Sequence, residues 1–183
     1  MPDTAPVSIS AADGAEIRPL ASPDLPLMKA LYLLGGNAAV AGSIDLRGED
    51  GLAAMRAEQW ATPMALLQDD VMVGGAVIAA ADSQHLNGRL VVLAREPRQS
   101  LVPVALYIRH VFWSYPLHRL YALLPRSAAS HAQLLQACGF VSEGRLLAHL
   151  RVGGRRLDLD VFGLLRPEFD AWCRANHPGW ALY

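Results

Sequence analysis

Apolar residues in this chain fall into short dense runs separated by glycine, proline and acidic turns. Glu16 to Leu20 (E-I-R-P-L) predicts a short first strand. Ser22-Pro23-Asp24 predicts a helix start, with Pro23 at a first-turn position where its missing N–H costs nothing. Leu25, Met28, Leu31 and Leu33 then give a helical stripe that stops at Gly35-Gly36. A second helix is expected over Glu49 to Trp60, although Leu52, Met55, Glu58 and Trp60 make no clean stripe. Three strands follow: Met64 to Gln68, Val71 to Ala81 after an Asp69-Asp70 turn, and Arg89 to Ala94. Gly74-Gly75 inside the second of these predicts a bulge or a close backbone approach, and Asn87-Gly88 predicts the turn before the third. The three form an antiparallel meander.

Leu101 to Trp113 predicts a helix with apolar residues on two faces, Val102 and Leu106 on one and Leu101, Ala105, Ile108 and Phe112 on another, so it is largely buried. Arg119 to Leu124 is a further strand. His131 to Cys138 is a short helix stopped by Gly139. Val141 to Val152 and Arg156 to Leu164 form a hairpin around Gly153-Gly154, and Pro167 to Arg174 is a last short helix. A strand–helix–strand order in the middle, flanked by antiparallel pieces, predicts a mixed α/β sheet. Residues 1–14 are small and polar and read as a flexible leader, 15–170 as one domain, and 171–183 as a tail. That tail, with Trp172 and the terminal P-G-W-A-L-Y, is too apolar to stay exposed. It packs on its own domain or on a dimer partner, and monomer and homodimer are both open.

Composition narrows this little. The chain has 183 residues, 52% of them apolar, enough for one domain with a real core. Lys and Arg number 16 against 17 Asp and Glu, so bulk charge gives no reason to expect nonspecific nucleic-acid binding. Lys29 is the lone lysine. A GC-rich coding sequence explains that plainly, and anion recognition by arginine's planar fork is the functional alternative. Cys138 and Cys173 are expected as free thiols, no stretch resembles a secretory signal, and the longest apolar run is about half a membrane span. These features predict a cytoplasmic protein without a membrane partner. No metal-ligand spacing or glycine-lysine phosphate loop is present.

One segment carries a resemblance. Arg95-Glu96-Pro97-Arg98-Gln99-Ser100 lies between a strand and a helix, where GNAT-type N-acyltransferases carry R/Q-x-x-G-x-G/A. Arg98 occupies the glycine slot and Ser100 the second small slot. Further on, His118-Arg119-Leu120, Cys138-Gly139-Phe140, Glu143-Gly144, Gly153-Gly154, Asp158 and Phe162 follow, in order and spacing, the phrase of the branch that acetylates ribosomal-protein N-termini and similar amines. The chain therefore resembles the GNAT superfamily over about residues 15–170. The resemblance implies an α/β fold with a GNAT-like mixed, mostly antiparallel central sheet flanked by helices.

It also implies a reaction: an acyl group passes from a thioester or ester donor to a primary amine on a small molecule or peptide, forming an amide. In the family, two central strands splay, the donor's pantetheine lies in the gap, and its pyrophosphate sits on N–H groups at the next helix start, where the dipole favours an anion. Leu93, Arg95, Arg98, Gln99, Ser100 and Leu101 fall on those donor-binding slots. The family's asparagine falls on Ala128, its serine on His131 with Ser130 beside it, and its tyrosine acid on Leu135. His131 and Ser130 are thus the catalytic candidates and Asp158 the acceptor-binding candidate. No metal is implied.

Each has a plain alternative. Arg98 either contacts phosphate directly or is solvated. Ser130 either serves the chemistry or caps its helix, and His131 is a base or a packed ring. Asp158 orients the acceptor or lies on the outward face of L-D-L-D-V. With the glycine slot filled, the donor is acyl-CoA or acetyl-CoA, or else an aminoacyl-tRNA or acyl carrier protein. A non-catalytic binding module is the remaining reading. The acceptor itself would be selected by the segment from Gly35 to Leu52 and by the late hairpin.

Overall fold

The computed structural model describes residues 8–11, 13–33 and 62–180. Strands β1 (Ile9–Ser10), β2 (Ala15–Pro19), β3 (Met64–Gln68), β4 (Val71–Asp82), β5 (Asn87–Ala94), β6 (Arg119–Pro125), β7 (Val141–Val152) and β8 (Arg155–Leu165) form one sheet in the order β1-β2-β3-β4-β5-β6-β8-β7. Every neighbouring pair is antiparallel except β5 and β6. The helices are α1 (Leu25–Leu33), α2 (Leu101–Ser114), α3 (Ala129–Ala137) and α4 (Arg166–Asn176). This is the mixed, mostly antiparallel α/β sheet expected from the sequence. The expected helix over Glu49 to Trp60 and the segment from Gly35 to Leu52 lie outside the described residues.

Alternation along the central strands sorts the core into two layers. Leu90, Val92 and Ala94 of β5 face the larger cluster, with Leu106 and Phe112 of α2, Leu134 and Leu135 of α3 and Phe169 of α4. Val91 and Leu93 face the opposite side and pack with Leu20 and with Met28 and Leu31 of α1. Helix α3 ends in a Schellman motif: Gly139 adopts φ +93°, and the Phe140 N–H bonds the Leu135 carbonyl at 3.0 Å while the Gly139 N–H bonds Gln136. At the start of α4 the Glu168 side chain accepts the Leu165 N–H.

Two boundaries differ from the sequence reading. Asn87-Gly88 is not the turn: both residues belong to β5, paired with Asp82 and Ala81. The chain reverses over Ser83–Leu86 instead, because the Asp82 carboxylate accepts the N–H groups of Gln84 and His85 and Leu86 takes φ +56°. Ile9–Ser10 pairs with Ile17 and Glu16, so the sheet begins inside the segment read as a leader. The tail, as far as Trp180, lies against its own domain. Phe169, Trp172, His177 and Trp180 form a chain of ring contacts, and the Arg109 Nε donates to the Trp180 carbonyl at 2.8 Å.

Gly74-Gly75 meets both parts of its expectation. The β3–β4 register slips beside Gly74, and a Cβ at Gly74 would overlap the Leu93 carbonyl oxygen. At Gly75 a Cβ would meet only the flexible end of Met28, at 2.7 Å. Gly74→Ala is therefore expected to lose about 1–3 kcal/mol through overpacking against backbone, and Gly75→Ala less, because Met28 can swing aside. Thermal unfolding followed by circular dichroism checks the contrast: equal midpoints for the two variants would refute the close approach at Gly74.

Candidate functional site

The site begins with a parting of strands. β5 and β6 run parallel but pair over three residues each, Asn87↔Arg119, Gly88↔Leu120 and Arg89↔Tyr121. Beyond that row the strands separate toward their C-terminal ends at Ala94 and Pro125. On the α2–α3 side this leaves a crevice walled by Leu90, Val92, Ala122, Leu124, Leu134, Leu135 and His131. Its free volume is about 10 Å³, the space of roughly one water.

His131 sits in the first turn of α3 with 7% of its surface exposed. Its Nε2 is buried and has no hydrogen-bond partner among the described residues. Burial pulls the imidazole pKa below its ordinary value, because the charged form would lose its hydration among aliphatic walls. The ring is thus held neutral at pH 7. Ser130, its neighbour, is exposed on the outer side of the helix. The expectation that it caps the helix is corrected: the N-cap is Ala128, with no side-chain bond. Leu135, in the slot of the family's acid, lines the crevice and offers no proton.

At the end of β5, Pro97–Ser100 forms one 3₁₀ turn that runs directly into α2. Arg95, Arg98 and Gln99 are exposed on it. The Ser100 hydroxyl is turned inward, fully buried, and donates to the Glu96 carbonyl at 3.1 Å. Pro97 removes one N–H and Gln99 spends its own on Glu96, so the loop's free anion donors are chiefly arginine side chains. The Leu93 side chain packs on the α1 side, away from the crevice. Leu101 opens α2 half-buried. A cavity of about 210 Å³ adjoins the loop, between Arg95, Glu96 and Gln99 and the start of β4 at Val71, Met72 and Val73.

Asp158 is not in the crevice. Its Oδ1 accepts the N–H of Ala148 at 2.8 Å, fixing a distorted stretch of β7 where Ala148 has φ +50°. Asp160 pairs with Arg145. On the α1 side of β6, Arg119 forks onto Glu143 and holds that carboxyl below its usual range. Glu143 lies flat over Gly163, where a Cβ would collide with the carboxylate. Cys138 is fully buried and its thiol is pushed up to about 12 by desolvation, which fits core and not a nucleophile. Among the described residues, no group of three or more His, Cys, Asp or Glu could hold a metal ion, and no helix is long and apolar enough to cross a membrane.

No protein-family model and no curated protein sequence matches the chain. Solved structures do. RimJ of Mycobacterium smegmatis in complex with CoA-disulfide superposes with a TM-score of 0.67 at 18% identity, over 89% of this chain and 88% of that one. Spermidine N-acetyltransferase of Vibrio cholerae, in complex with CoA and spermine, gives 0.64 at 16%, over 85% and 98%. The ribosomal-protein-S5-alanine acetyltransferase of Vibrio fischeri gives 0.65 at 18%, over 89% and 98%. The chain has the GNAT fold. At these identities the likeness is one of architecture, and within the GNAT fold the parted strands and the loop after β5 stand where the resemblance placed the donor. Sequence reading missed the aliphatic walls; the alternate positions 90 and 92, and 122 and 124, carry that signal only once the parting of β5 and β6 is known.

A buried neutral histidine has a stability signature. Above about pH 6.5 native and unfolded His131 are both neutral and its contribution is complete. As pH falls below that value the unfolded chain binds a proton that the native chain resists, so stability is lost toward the lower folded-state pKa. His110, whose pKa is also lowered by burial, acts in the same direction. His131→Leu is therefore expected to lose less stability than wild type between pH 7.5 and 5, measured by urea midpoints. Equal losses would mean that the ring is already hydrated.

Proposed function

We propose that this protein is an N-acyltransferase that moves an acyl group from a thioester or ester donor to a primary amine. The observation that carries the reading is the buried His131 Nε2, without a partner among the described residues, on the wall of a crevice opened by strand parting, in a fold shared with solved acetyltransferases. In the reaction the amine nitrogen bonds to the acyl carbon and the bond from that carbon to the donor's sulfur or oxygen breaks. One proton leaves the amine and one reaches the leaving atom. His131, neutral and desolvated, accepts the first and supplies the second. Aliphatic walls exclude water, which would otherwise hydrolyse the donor.

The loop residues fit an anionic donor tail. Arg95 and Arg98 are exposed at the helix start and compensate for the N–H lost to Pro97 by charge-assisted contacts. Arg98 and Gln99, with the backbone at Ser100 and Leu101, are the donor-binding set, and Leu93 contributes backbone only. Asp158 acts on the acceptor indirectly, by fixing the shape of the late hairpin. Ser130, turned to solvent, has no part in proton transfer.

Calorimetric titration with acetyl-CoA, with CoA as control, tests donor binding, and release of free thiol with a panel of primary amines tests turnover. His131→Ala is expected to lower kcat by roughly a hundredfold or more with donor affinity unchanged. Arg98→Ala is expected to weaken the donor roughly tenfold with kcat kept. A wild-type protein that binds acetyl-CoA yet acylates no amine would favour a binding module, and unchanged kcat in His131→Ala would remove the histidine from the chemistry.

A further inference from the structure

Most of the arginines among the described residues fall into two sets. Arg18 forks onto Asp24 and Arg119 onto Glu143, while Arg145 pairs with Asp160 and Arg174 with Asp170. Arg109 and Arg166 donate to backbone carbonyls at chain crossings, and Arg156 to Ala148. Arg95, Arg98, Arg126, Arg151 and Arg155 have no ion pair or hydrogen bond among the described residues, and all are exposed. Their places in the sheet coincide. Arg95 and Arg98 follow the C-terminal end of β5, and Arg126 follows the C-terminal end of β6. Arg151 and Arg155 flank the hairpin turn of β7 and β8, which extends past that same end, since β6 stops pairing at Pro125↔Leu159 while Val152↔Arg155 closes the hairpin.

The hairpin tip thus stands about 13 Å beyond the end of β6, four residues at ~3.3 Å each. Its acids are spent: Asp158 holds Ala148 and Asp160 holds Arg145. Glu96 tempers the loop, and Asp69 and Asp70, in the turn before β4, add negative charge at the same end of the sheet. A single small anion at the start of α2 would not also reach the tip, so the unpaired set suits a ligand with a row of negative charges. The charge is carried by arginine, whose planar fork suits phosphate oxygens.

We infer that this rim binds the phosphate backbone of an RNA, with Arg151 and Arg155 as an arm that grips it beside the mouth of the crevice. The inference deepens the acyl-transfer reading by naming an RNA-borne ester as the class of donor, and it rests on that reading only for the chemistry, not for the binding. A mixed tRNA pool labelled with fluorescein, titrated by anisotropy from 50 to 250 mM salt, is the test, with labelled poly-glutamate as the rival polyanion. Wild type is expected to bind RNA with an affinity that falls steeply with salt. Arg151→Ala/Arg155→Ala is expected to bind at least tenfold more weakly at low salt, with a slope reduced by about two. Both side chains are outside the core, and the unfolding midpoint of the variant confirms that it folds. No saturable RNA binding at 50 mM salt, equal binding by the double variant, or equal capture of poly-glutamate would overturn the inference. Transfer to an amine from acetyl-CoA and from aminoacyl-tRNA, measured on the same samples, keeps the two claims apart: transfer from acetyl-CoA without RNA binding defeats the rim alone, and RNA binding without transfer from either donor defeats the enzyme reading alone.

Discussion

Three paired residues between β5 and β6 set the arrangement of everything chemical in this protein. They are the sole parallel contacts among the described residues, and they end at Arg89↔Tyr121. Beyond that row each strand turns to other support: β5 stays bonded to β4 up to Gly74↔Ala94, and β6 to β8 up to Pro125↔Leu159. The sheet thus divides into two rigid halves that share one edge of a crevice. Backbone groups along the parted edges lack a strand partner, and buried amides seek one. A ligand with amide groups of its own fits such edges better than a purely aliphatic one.

The parting also explains why a histidine is tolerated in an aliphatic wall. Desolvating a neutral imidazole with one unmet nitrogen costs far less than burying a charge, and the lowered pKa is the form that this cost takes. The same position would be poor for a carboxylate, and the carboxylates are in fact elsewhere. Glu143 is held ionised by Arg119 on the opposite face, and Asp158 and Asp160 are tied into the hairpin. Each of these carboxylates has a partner among the described residues, whereas the His131 Nε2 in the crevice wall has none.

Much of the fold was legible in the chain. Met64–Gln68 and Val141–Val152 begin and end where alternation and turns place them, and α2 is as buried as its two apolar faces imply. The misplaced turn at Asn87-Gly88 has a specific cause: Asp82 offered a stronger local cap five residues upstream, and pairing with Ala81 and Asp82 kept the dipeptide in the strand. Ser130 failed as a cap because the N-cap of α3 lies two residues earlier, at Ala128, which no propensity favours and whose burial against the core fixes the start.

The sequence by itself determined the order of elements, the two apolar layers and the altered loop, because these depend on periodicity and on single residues such as Pro97 and Gly139. It could not reveal which arginines were free. Net charge is near zero, and the free arginines are interleaved along the chain with arginines that are paired. Only the tertiary structure decided that one set meets carboxylates and carbonyls while another, from three separate segments, meets at one end of two parted strands. Pairing depends on distances of a few ångströms between residues far apart in sequence, and those distances exist only once the sheet has closed.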